Sequence, residues 1–239
     1  MRLCGEEFWL VRARRVGVFL QLDLAGDNSG DGRNRRSIPL AYRLFLQESI
    51  KSPRSTAAVI PSSRFLTAAL LEPMDFTRVQ TVVELGCGTG AVTRAILRLL
   101  APQGRLVALD TNKKFVQHLH TNGRDLRLAA VHASAEDLLS VLSSQGVQRV
   151  DAIVSSLGLT GMDGSQRKRI LHQACTSLVP GGVMTQYQYL TSVVGHFERS
   201  KLRFSRFREK SFLGLFFREV CTRRVLLNFP PAVVFICRK

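Results

Sequence analysis

At 239 residues, the chain has the length of one domain with extensions, and a hydrophobic content of 45% is enough to bury a core. Charged residues make up 22%, which excludes an intrinsically disordered chain, but 34 Lys and Arg against 18 Asp and Glu give a net charge of +16. Such a surplus predicts a polyanionic partner, either nucleic acid or anionic lipid. The scattered cysteines contain no CxxC pair and predict free thiols without a metal site.

The amino-terminal part of the chain divides into two zones. Residues 1–36 end in a run rich in Gly, Asp and Asn and are predicted to form a flexible extension. Arginines interrupt the apolar run from Phe8 to Leu22, so we expect neither a transmembrane helix nor a signal peptide there. Residues 37–78 are predicted to be helical, with one helix near 38–52 and a second that begins after Ser62 and Ser63. These features predict a cytoplasmic or membrane-surface protein.

Residues 79–239 alternate between predicted strands and helices. The predicted strands are 81–85, 106–110, 126–132, 150–155 and 182–189, and the predicted helices are 89–100, 112–121, 135–144 and 165–178. This alternation predicts a parallel sheet with helices on both faces. Two further strand-like runs, 220–227 and 232–237, have no helix between them and are expected to pair as an antiparallel hairpin. The predicted fold is therefore α/β and Rossmann-like, with the seven-stranded, mostly parallel sheet of class I methyltransferases.

The most informative motif joins the first predicted strand to a helix and reads VVELGCGTGA over residues 82–91. Its glycines, Gly86, Gly88 and Gly90, allow a tight turn and a close approach of a ligand to the main chain. The spacing also satisfies the fingerprint of dinucleotide-binding folds. Glu84, however, would repel an anionic pyrophosphate and suits a ligand that carries positive charge and no phosphate. The ammonium and sulfonium of S-adenosylmethionine meet this condition, so it is the predicted cofactor.

Further cofactor contacts are predicted where the next strands end. Asp110 ends the second strand, where a carboxylate accepts hydrogen bonds from both ribose hydroxyls; capping of the following helix is the alternative. Ser134, Ala135 and Glu136 follow the third strand and are predicted to lie over the adenine, although capping explains Ser134 equally well. Ser155, at the end of the fourth strand, completes the predicted cofactor site.

With these residues in hand, the chain resembles the bacterial phospholipid N-methyltransferases, class I enzymes often grouped with ribosomal RNA adenine dimethylase-like proteins. The segments that carry the resemblance are 51–66, 83–90, 93–97, 134–137, 186–189 and 224–235. The most specific of these are the PSSRFL segment from Pro61 and the NFPPA segment from Asn228. One departure is the turn after the fourth strand, which reads SSLGL from Ser155 where the family has a Ser-Gly-Leu-Pro-like turn.

The resemblance implies stepwise methylation of the amine of phosphatidylethanolamine at the inner face of the membrane. It also implies peripheral membrane binding through a basic amphipathic helix at about residues 38–52. The candidate substrate contacts are Ser62, Ser63, Arg64, Arg223, Arg224 and Asn228. Because an ammonium has no lone pair, the substrate must lose a proton, and Tyr187 and Tyr189 are the candidate acceptors. A phenol pKa near 10 favours a pocket-shaping role for both.

A basic stretch at residues 196–218 contains seven Lys or Arg against two Glu, with phenylalanines between them. Phe204 and Phe207 are expected to share a helical face. This composition suits an anionic bilayer, a single-stranded nucleic acid or an ordinary solvated surface. RNA adenine methylases carry a proline- and aromatic-containing motif after the fourth strand that holds a flipped base, and SSLG at 155–158 has neither residue type. The alternatives to the phospholipid are another amino-lipid, RNA, or non-catalytic binding of S-adenosylmethionine.

Overall fold

The computed structural model describes residues 63–122, 125–190, 194–198, 201–205 and 209–239. The predicted extension at 1–36, the predicted helix near 38–52 and Ser62 lie outside the described residues. The described helices are α1 (Arg64–Leu71), α2 (Ala91–Leu99), α3 (Lys113–Asn122), α4 (Leu138–Ser144), α5 (Gly164–Ser177) and α6 (Glu209–Leu213). The strands are β1 (Thr81–Leu85), β2 (Arg105–Asp110), β3 (Leu128–His132), β4 (Val150–Ser155), β5 (Leu178–Tyr189), β6 (Val194–Glu198), β7 (Lys201–Ser205), β8 (Glu219–Val225) and β9 (Ala232–Arg238).

Seven of these strands form one sheet in the order β3-β2-β1-β4-β5-β9-β8. The first five are parallel, as expected for strands joined by helices, and β9 runs antiparallel to both β5 and β8. The carboxyl ends of β1, β2, β4 and β5 therefore share one edge of the sheet. The turn between β8 and β9 lies at this edge too, because Ala232 pairs with both Tyr189 and Val225. The predicted α/β fold with a carboxyl-terminal antiparallel hairpin is confirmed.

Helices cover both faces of this sheet. On one face, α1 buries Leu66 and Leu70 against strand residues that include Val154 and Val234. Ser63 starts this helix as its N-cap, and its Oγ accepts a hydrogen bond from the Leu66 N–H at 3.3 Å. On the other face, α4, α5 and α6 contribute Leu138, Leu171 and Leu213 to a second core cluster. None of the described helices has the length and apolar character to span a membrane.

The segment between β5 and β8 differs from its predicted form. The expected helical face that includes Phe204 is wrong, since residues 201–205 form β7, which pairs antiparallel with β6. Its sequence KLRFS alternates basic or polar with apolar residues, and this period of two is typical of a strand. Phe207 lies outside the described residues. The described cysteines, Cys87, Cys175, Cys221 and Cys237, are all free thiols.

Candidate active site

The glycine motif lies at the point where the order of the strands reverses. After β1 the chain adds β2 and β3 on one side of it, and later adds β4 and β5 on the other side. In open α/β sheets, ligands bind in the crevice that such a reversal leaves at the carboxyl ends of the strands. The loop between β1 and α2 therefore occupies the position in this fold where a nucleoside ligand is expected.

The three glycines of this loop all have positive φ, and two of them show why glycine is required. A Cβ on Gly90 (φ +80°) would lie 2.5 Å from Cδ2 of Leu119, so this position is closed by the packing of α3. A Cβ on Gly88 (φ +50°) would meet no atom within 4 Å. Gly88 therefore faces open space, which leaves its main chain accessible to a ligand.

Asp110 connects the end of β2 to this loop. One of its carboxylate oxygens accepts a hydrogen bond from the Gly88 N–H at 2.9 Å, and the other accepts one from the Asn112 N–H at 2.8 Å. Burial raises the pKa of Asp110, and these main-chain bonds act in the opposite direction. Asp110 therefore holds the turn that precedes α3, whereas Asn112 caps the helix itself, because its Oδ1 accepts the Lys114 N–H at 3.0 Å. The carboxylate of Asp110 lies beside the glycine loop, and its contact with the ribose stays a prediction.

Glu84 is completely buried in β1 beneath the glycine loop. Its Oε2 accepts a hydrogen bond from the Thr93 hydroxyl at 2.6 Å, whereas its Oε1 has no hydrogen-bond partner among the described residues. Burial raises the pKa of Glu84 to about 8. A buried acceptor without a partner is rare in folded proteins. The open loop and this acceptor together fit a cationic adenosyl ligand such as S-adenosylmethionine.

The raised pKa of Glu84 predicts that cofactor binding releases a proton. Near pH 7 the buried carboxyl group holds its proton, and a cationic ligand favours the ionised form and lowers the pKa. Calorimetry in two buffers of different ionisation enthalpy should therefore give different binding heats for the wild-type protein. The Glu84→Gln variant should lose this dependence on the buffer. Wild-type heats that are the same in both buffers would contradict the prediction.

The same group also predicts how stability depends on pH. The folded protein holds a proton on Glu84 that the unfolded chain releases above its ordinary pKa of about 4.5. The free energy of unfolding contributed by this group therefore falls as the pH rises from about 4.5 to about 8. Glu84→Gln should flatten the pH dependence of the thermal midpoint over that range. A variant with an unchanged slope would show that Glu84 does not titrate there.

The residues after β3 and β4 are held by local contacts. The Ser134 Oγ accepts the Glu136 N–H at 3.2 Å and starts a short 3₁₀ turn, so the capping role of Ser134 is confirmed. Glu136 accepts a hydrogen bond from the Arg169 Nε at 2.7 Å. Ala135, between Ser134 and Glu136 in the chain, is buried. Ser155 is fully buried at the end of β4. Contacts of these residues with an adenine remain a prediction.

A cleft opens between the loop after β4 and the end of β5. It is lined by Ser156, Leu157, Gly158, Leu159, Thr160, Gln186, Tyr187, Gln188, Tyr189 and Glu209. This cleft adjoins the glycine loop, because a Cβ on Gly86 would lie 3.2 Å from Cδ2 of Leu157. Leu157 thus forms a wall between the predicted cofactor site and the cleft, which is the candidate substrate site.

The two tyrosines proposed as proton acceptors both line this cleft. Their rings meet edge to face, with centroids 5.4 Å apart. Tyr187 is buried and packs in the apolar cluster beneath α1, and burial raises the pKa of Tyr189 above its ordinary value near 10. A phenol that holds its proton so firmly is a poor base at neutral pH. The geometry therefore favours the pocket-shaping role.

The predicted substrate contacts meet at the junction of α1 with the β8–β9 turn. The Asn228 side chain accepts the Ser63 N–H at 3.3 Å and donates to the Pro230 carbonyl at 2.6 Å, so it fastens the turn to the start of α1. Arg223 forms an ion pair with Glu72. Arg64 is exposed, with its guanidinium over the ring of Phe65. The Asn228 side chain thus has a structural role in addition to the headgroup contact predicted for it.

Of the residues that line the cleft, the sequence predicted only Tyr187 and Tyr189 as site residues. The prediction missed Glu209 and Gln186, which carry buried acceptor atoms without a hydrogen-bond partner among the described residues. Glu209 was counted only as an acidic residue within the basic stretch, and Gln186 only as part of a matching segment. One of two acids among many basic and aromatic residues is a weak signal, and nothing in the local pattern shows that Glu209 is buried beside β5. No group of three His, Cys, Asp or Glu that could bind a metal occurs in the described part of the chain.

Comparisons with known proteins agree with this geometry. Residues 82–182 match the model of the methyltransferase domain family. The chain is 26% identical over 198 residues to the ornithine lipid N-methyltransferase of Singulisphaera acidiphila. This match covers 82% of this chain and 95% of that protein. The chain is also 30% identical over a shorter stretch of 83 residues to the ribosomal RNA small subunit methyltransferase H of Ruthia magnifica. That match covers 34% of this chain and only 27% of the relative.

Two solved structures show the same fold. The 1,6-didemethyltoxoflavin-N1-methyltransferase of Burkholderia thailandensis aligns with a TM-score of 0.57 at 18% identity, over 87% of this chain and 93% of that one. The N-methyltransferase NodS of Bradyrhizobium japonicum aligns with a TM-score of 0.54 at 14% identity, over 83% and 98%. Both were crystallised with S-adenosylhomocysteine, the product of the predicted cofactor. The chain therefore contains a methyltransferase domain at residues 82–182 and has the fold of class I S-adenosylmethionine-dependent methyltransferases.

Proposed function

We propose that the protein methylates the primary amine of a membrane lipid, working peripherally at the cytoplasmic face of the membrane. Phosphatidylethanolamine is the first candidate substrate, and an ornithine lipid is the alternative. Both present a primary ammonium on an amphiphile, so the enzyme must hold its cleft at a bilayer surface. The observation that carries the proposal is an exposed apolar tip on the same edge of the sheet as the cleft.

This apolar tip consists of Leu190, Leu226, Leu227 and Phe229, whose exposed fractions are 48%, 61%, 69% and 80%. Leu190 follows β5, and its N–H donates to the Pro231 carbonyl in the β8–β9 turn at 2.8 Å. The four side chains therefore belong to one corner of the carboxyl edge. Large apolar side chains grouped on a surface are typical of protein or membrane contacts, whereas isolated ones need no explanation.

Basic side chains near the apolar tip favour an anionic bilayer as its partner. Arg64 at the start of α1 and Arg224 near the end of β8 are exposed, and the chain as a whole carries a net charge of +16. Each Lys or Arg near an anionic surface contributes about 1 kcal/mol of attraction. Arginine side chains also bind phosphate in a bidentate geometry, so both are candidates for contact with lipid phosphates.

Two observations favour a lipid amine over RNA. The similarity to an ornithine lipid N-methyltransferase extends over 82% of the chain, whereas the ribosomal RNA relative matches 34% of it. The loop after β4 contains Leu157 and Gly158 but neither the proline nor the aromatic residue that would hold a flipped base. The cleft that this loop lines is therefore better suited to an amine headgroup than to an adenine.

Labelled S-adenosylmethionine tests the proposal directly. The enzyme is incubated with anionic vesicles that contain phosphatidylethanolamine, an ornithine lipid or phosphatidylcholine, or with ribosomal RNA. Label should enter the lipid extract only with the two primary-amine lipids, and the preferred one identifies the substrate. Because phosphatidylcholine has no free amine, it is the matched control. Label in RNA, or none in any lipid, would contradict the proposal.

A further inference from the structure

Glu209, the first residue of α6, is a buried carboxylate that lines the substrate cleft. Only 3% of the residue is exposed, and neither carboxylate oxygen has a hydrogen-bond partner among the described residues. Isolated buried carboxylates are costly, and each one in a folded protein calls for an explanation. Because Glu209 lines a cleft beside the predicted cofactor site, a cationic ligand that donates hydrogen bonds to it would explain its burial.

Gln186 offers a second acceptor in the same cleft. Its Nε2 donates to the Leu157 and Tyr187 carbonyls, both at 2.8 Å, which fixes the orientation of the amide. Its Oε1 is buried and has no hydrogen-bond partner in the described residues. A primary ammonium carries three N–H donors and no acceptor. The cleft thus presents acceptors from two chain segments, as an ammonium requires.

Burial and the neighbouring charges together set the proton affinity of Glu209. Burial raises the pKa of Glu209 to about 7, and the positive charge of Arg167 on α5 acts in the opposite direction. Burial raises the pKa of the Cys237 thiol on β9, and the nearby Glu209 and Cys221 on β8 act in the same direction. Burial raises the pKa of Tyr189, so this neighbouring phenol stays neutral near pH 7. A general base is most effective when its pKa lies near the working pH.

We infer that Glu209 binds the substrate ammonium and accepts its proton before methyl transfer, an assignment that rests on the proposed amine substrate. The N–H bond breaks and its proton moves to a carboxylate oxygen of Glu209, which leaves the lone pair on nitrogen. That lone pair forms a bond to the methyl carbon while the carbon–sulfur bond breaks, and sulfur keeps the electron pair. The nitrogen of the product carries the positive charge, and Glu209 returns its proton to water.

The pH dependence of kcat/KM tests this assignment on the wild-type enzyme. If Glu209 is the base, kcat/KM should rise through pH 7 as the carboxylate ionises. It should fall again above about pH 10, where a lysine-like substrate ammonium has lost its proton in solution. The expected profile is therefore bell-shaped. A wild-type profile that only rises toward pH 10, without a step near 7, would overturn the assignment.

The Glu209→Gln variant provides the second test, with Glu219→Gln on β8 as the matched control outside the cleft. Removal of the base should lower kcat by about 10²- to 10⁴-fold and abolish the step near pH 7. Affinity for S-adenosylhomocysteine, measured by calorimetry, should be unchanged in both variants and reports that they are folded. Glu209→Asp, which keeps a shorter carboxylate, should restore part of the activity and the step.

The outcomes separate this inference from the proposed function. A wild-type enzyme that methylates no primary-amine lipid contradicts the proposed function, and the assignment of Glu209 falls with it. A wild-type enzyme that methylates such a lipid, beside a folded Glu209→Gln variant with equal kcat, overturns the assignment of Glu209 alone. A Glu209→Gln variant that loses most of its kcat but keeps the rise of kcat/KM near pH 7 would also overturn the assignment. That result would indicate that Glu209 has a structural role.

Discussion

Alanine in place of Gly88 is expected to lower the affinity for S-adenosylmethionine by about 10- to 100-fold while the protein stays folded. The added methyl group would meet no protein atom within 4 Å, so it projects into the space where the cofactor is predicted to approach the main chain. A methyl group forced into a fitted contact costs about 1–3 kcal/mol, which corresponds to this range of affinities. Calorimetry with the cofactor and with S-adenosylhomocysteine measures the loss.

Gly146 provides the matched control for this substitution. It lies between α4 and β4 with a φ of +67°, and a Cβ on it would also meet no atom within 4 Å. Gly146→Ala should therefore cost about the same backbone strain, on the order of 1–2 kcal/mol, as Gly88→Ala. Their thermal midpoints should fall together, but only Gly88→Ala should lose cofactor affinity. Equal affinities in the two variants would show that the cofactor does not approach Gly88.

Serine at both Leu226 and Leu227 is expected to lower binding to anionic vesicles by about 100-fold or more. The two side chains are 61% and 69% exposed at the apolar tip, so they are available for insertion between lipid headgroups. Full burial of a leucine contributes about 1.5–3 kcal/mol, and two of them account for at least two factors of ten. Sedimentation with vesicles of anionic lipid and phosphatidylethanolamine measures the change.

Leu126→Ser is the control for the apolar tip. Leu126 is fully exposed, but it precedes β3 and so lies at the amino edge of the sheet, opposite the cleft. This variant should bind vesicles like the wild-type protein. Substitutions at exposed positions change stability by less than about 0.5 kcal/mol, so all three proteins should retain their thermal midpoints and their cofactor affinity. Equal vesicle binding by all three would remove the apolar tip as the membrane contact.

The candidate active site has a cofactor side and a substrate side, with Leu157 between them. The glycine loop, Glu84 and Asp110 form the side predicted to hold the cofactor, while Gln186 and Glu209 form the other side. Leu157 separates them and belongs to the SSLGL turn, where the chain departs from the family that it resembles. In an in-line displacement the enzyme mainly aligns the two reactants and excludes water, and Leu157 lies where the two reactants are predicted to meet.

The fold and the cofactor loop were predictable from the sequence because their signals are local. The adjacent apolar residues Val82 and Val83 of β1 predict a strand buried on both faces, and the positive φ of Gly88 and Gly90 favours glycine. The predicted bounds of β1 and β4 agree with the structure, whereas β5 begins at Leu178, four residues before the predicted start. The strand extends before Gly182 because Leu178 pairs with Val150 of β4, across an irregularity in the register.

The substrate side was decided by contacts between residues far apart in the chain. Asn228 and Ser63 are 165 positions apart, and their hydrogen bond exists only because β8 and β9 return along β5 toward α1. Glu209 on α6 lines the same cleft as residues 186–189 of β5, although the two elements are far apart in the chain. No periodicity in the sequence around Glu209 indicates that it is buried. Local patterns determine which elements form, whereas the order of the strands determines which side chains meet.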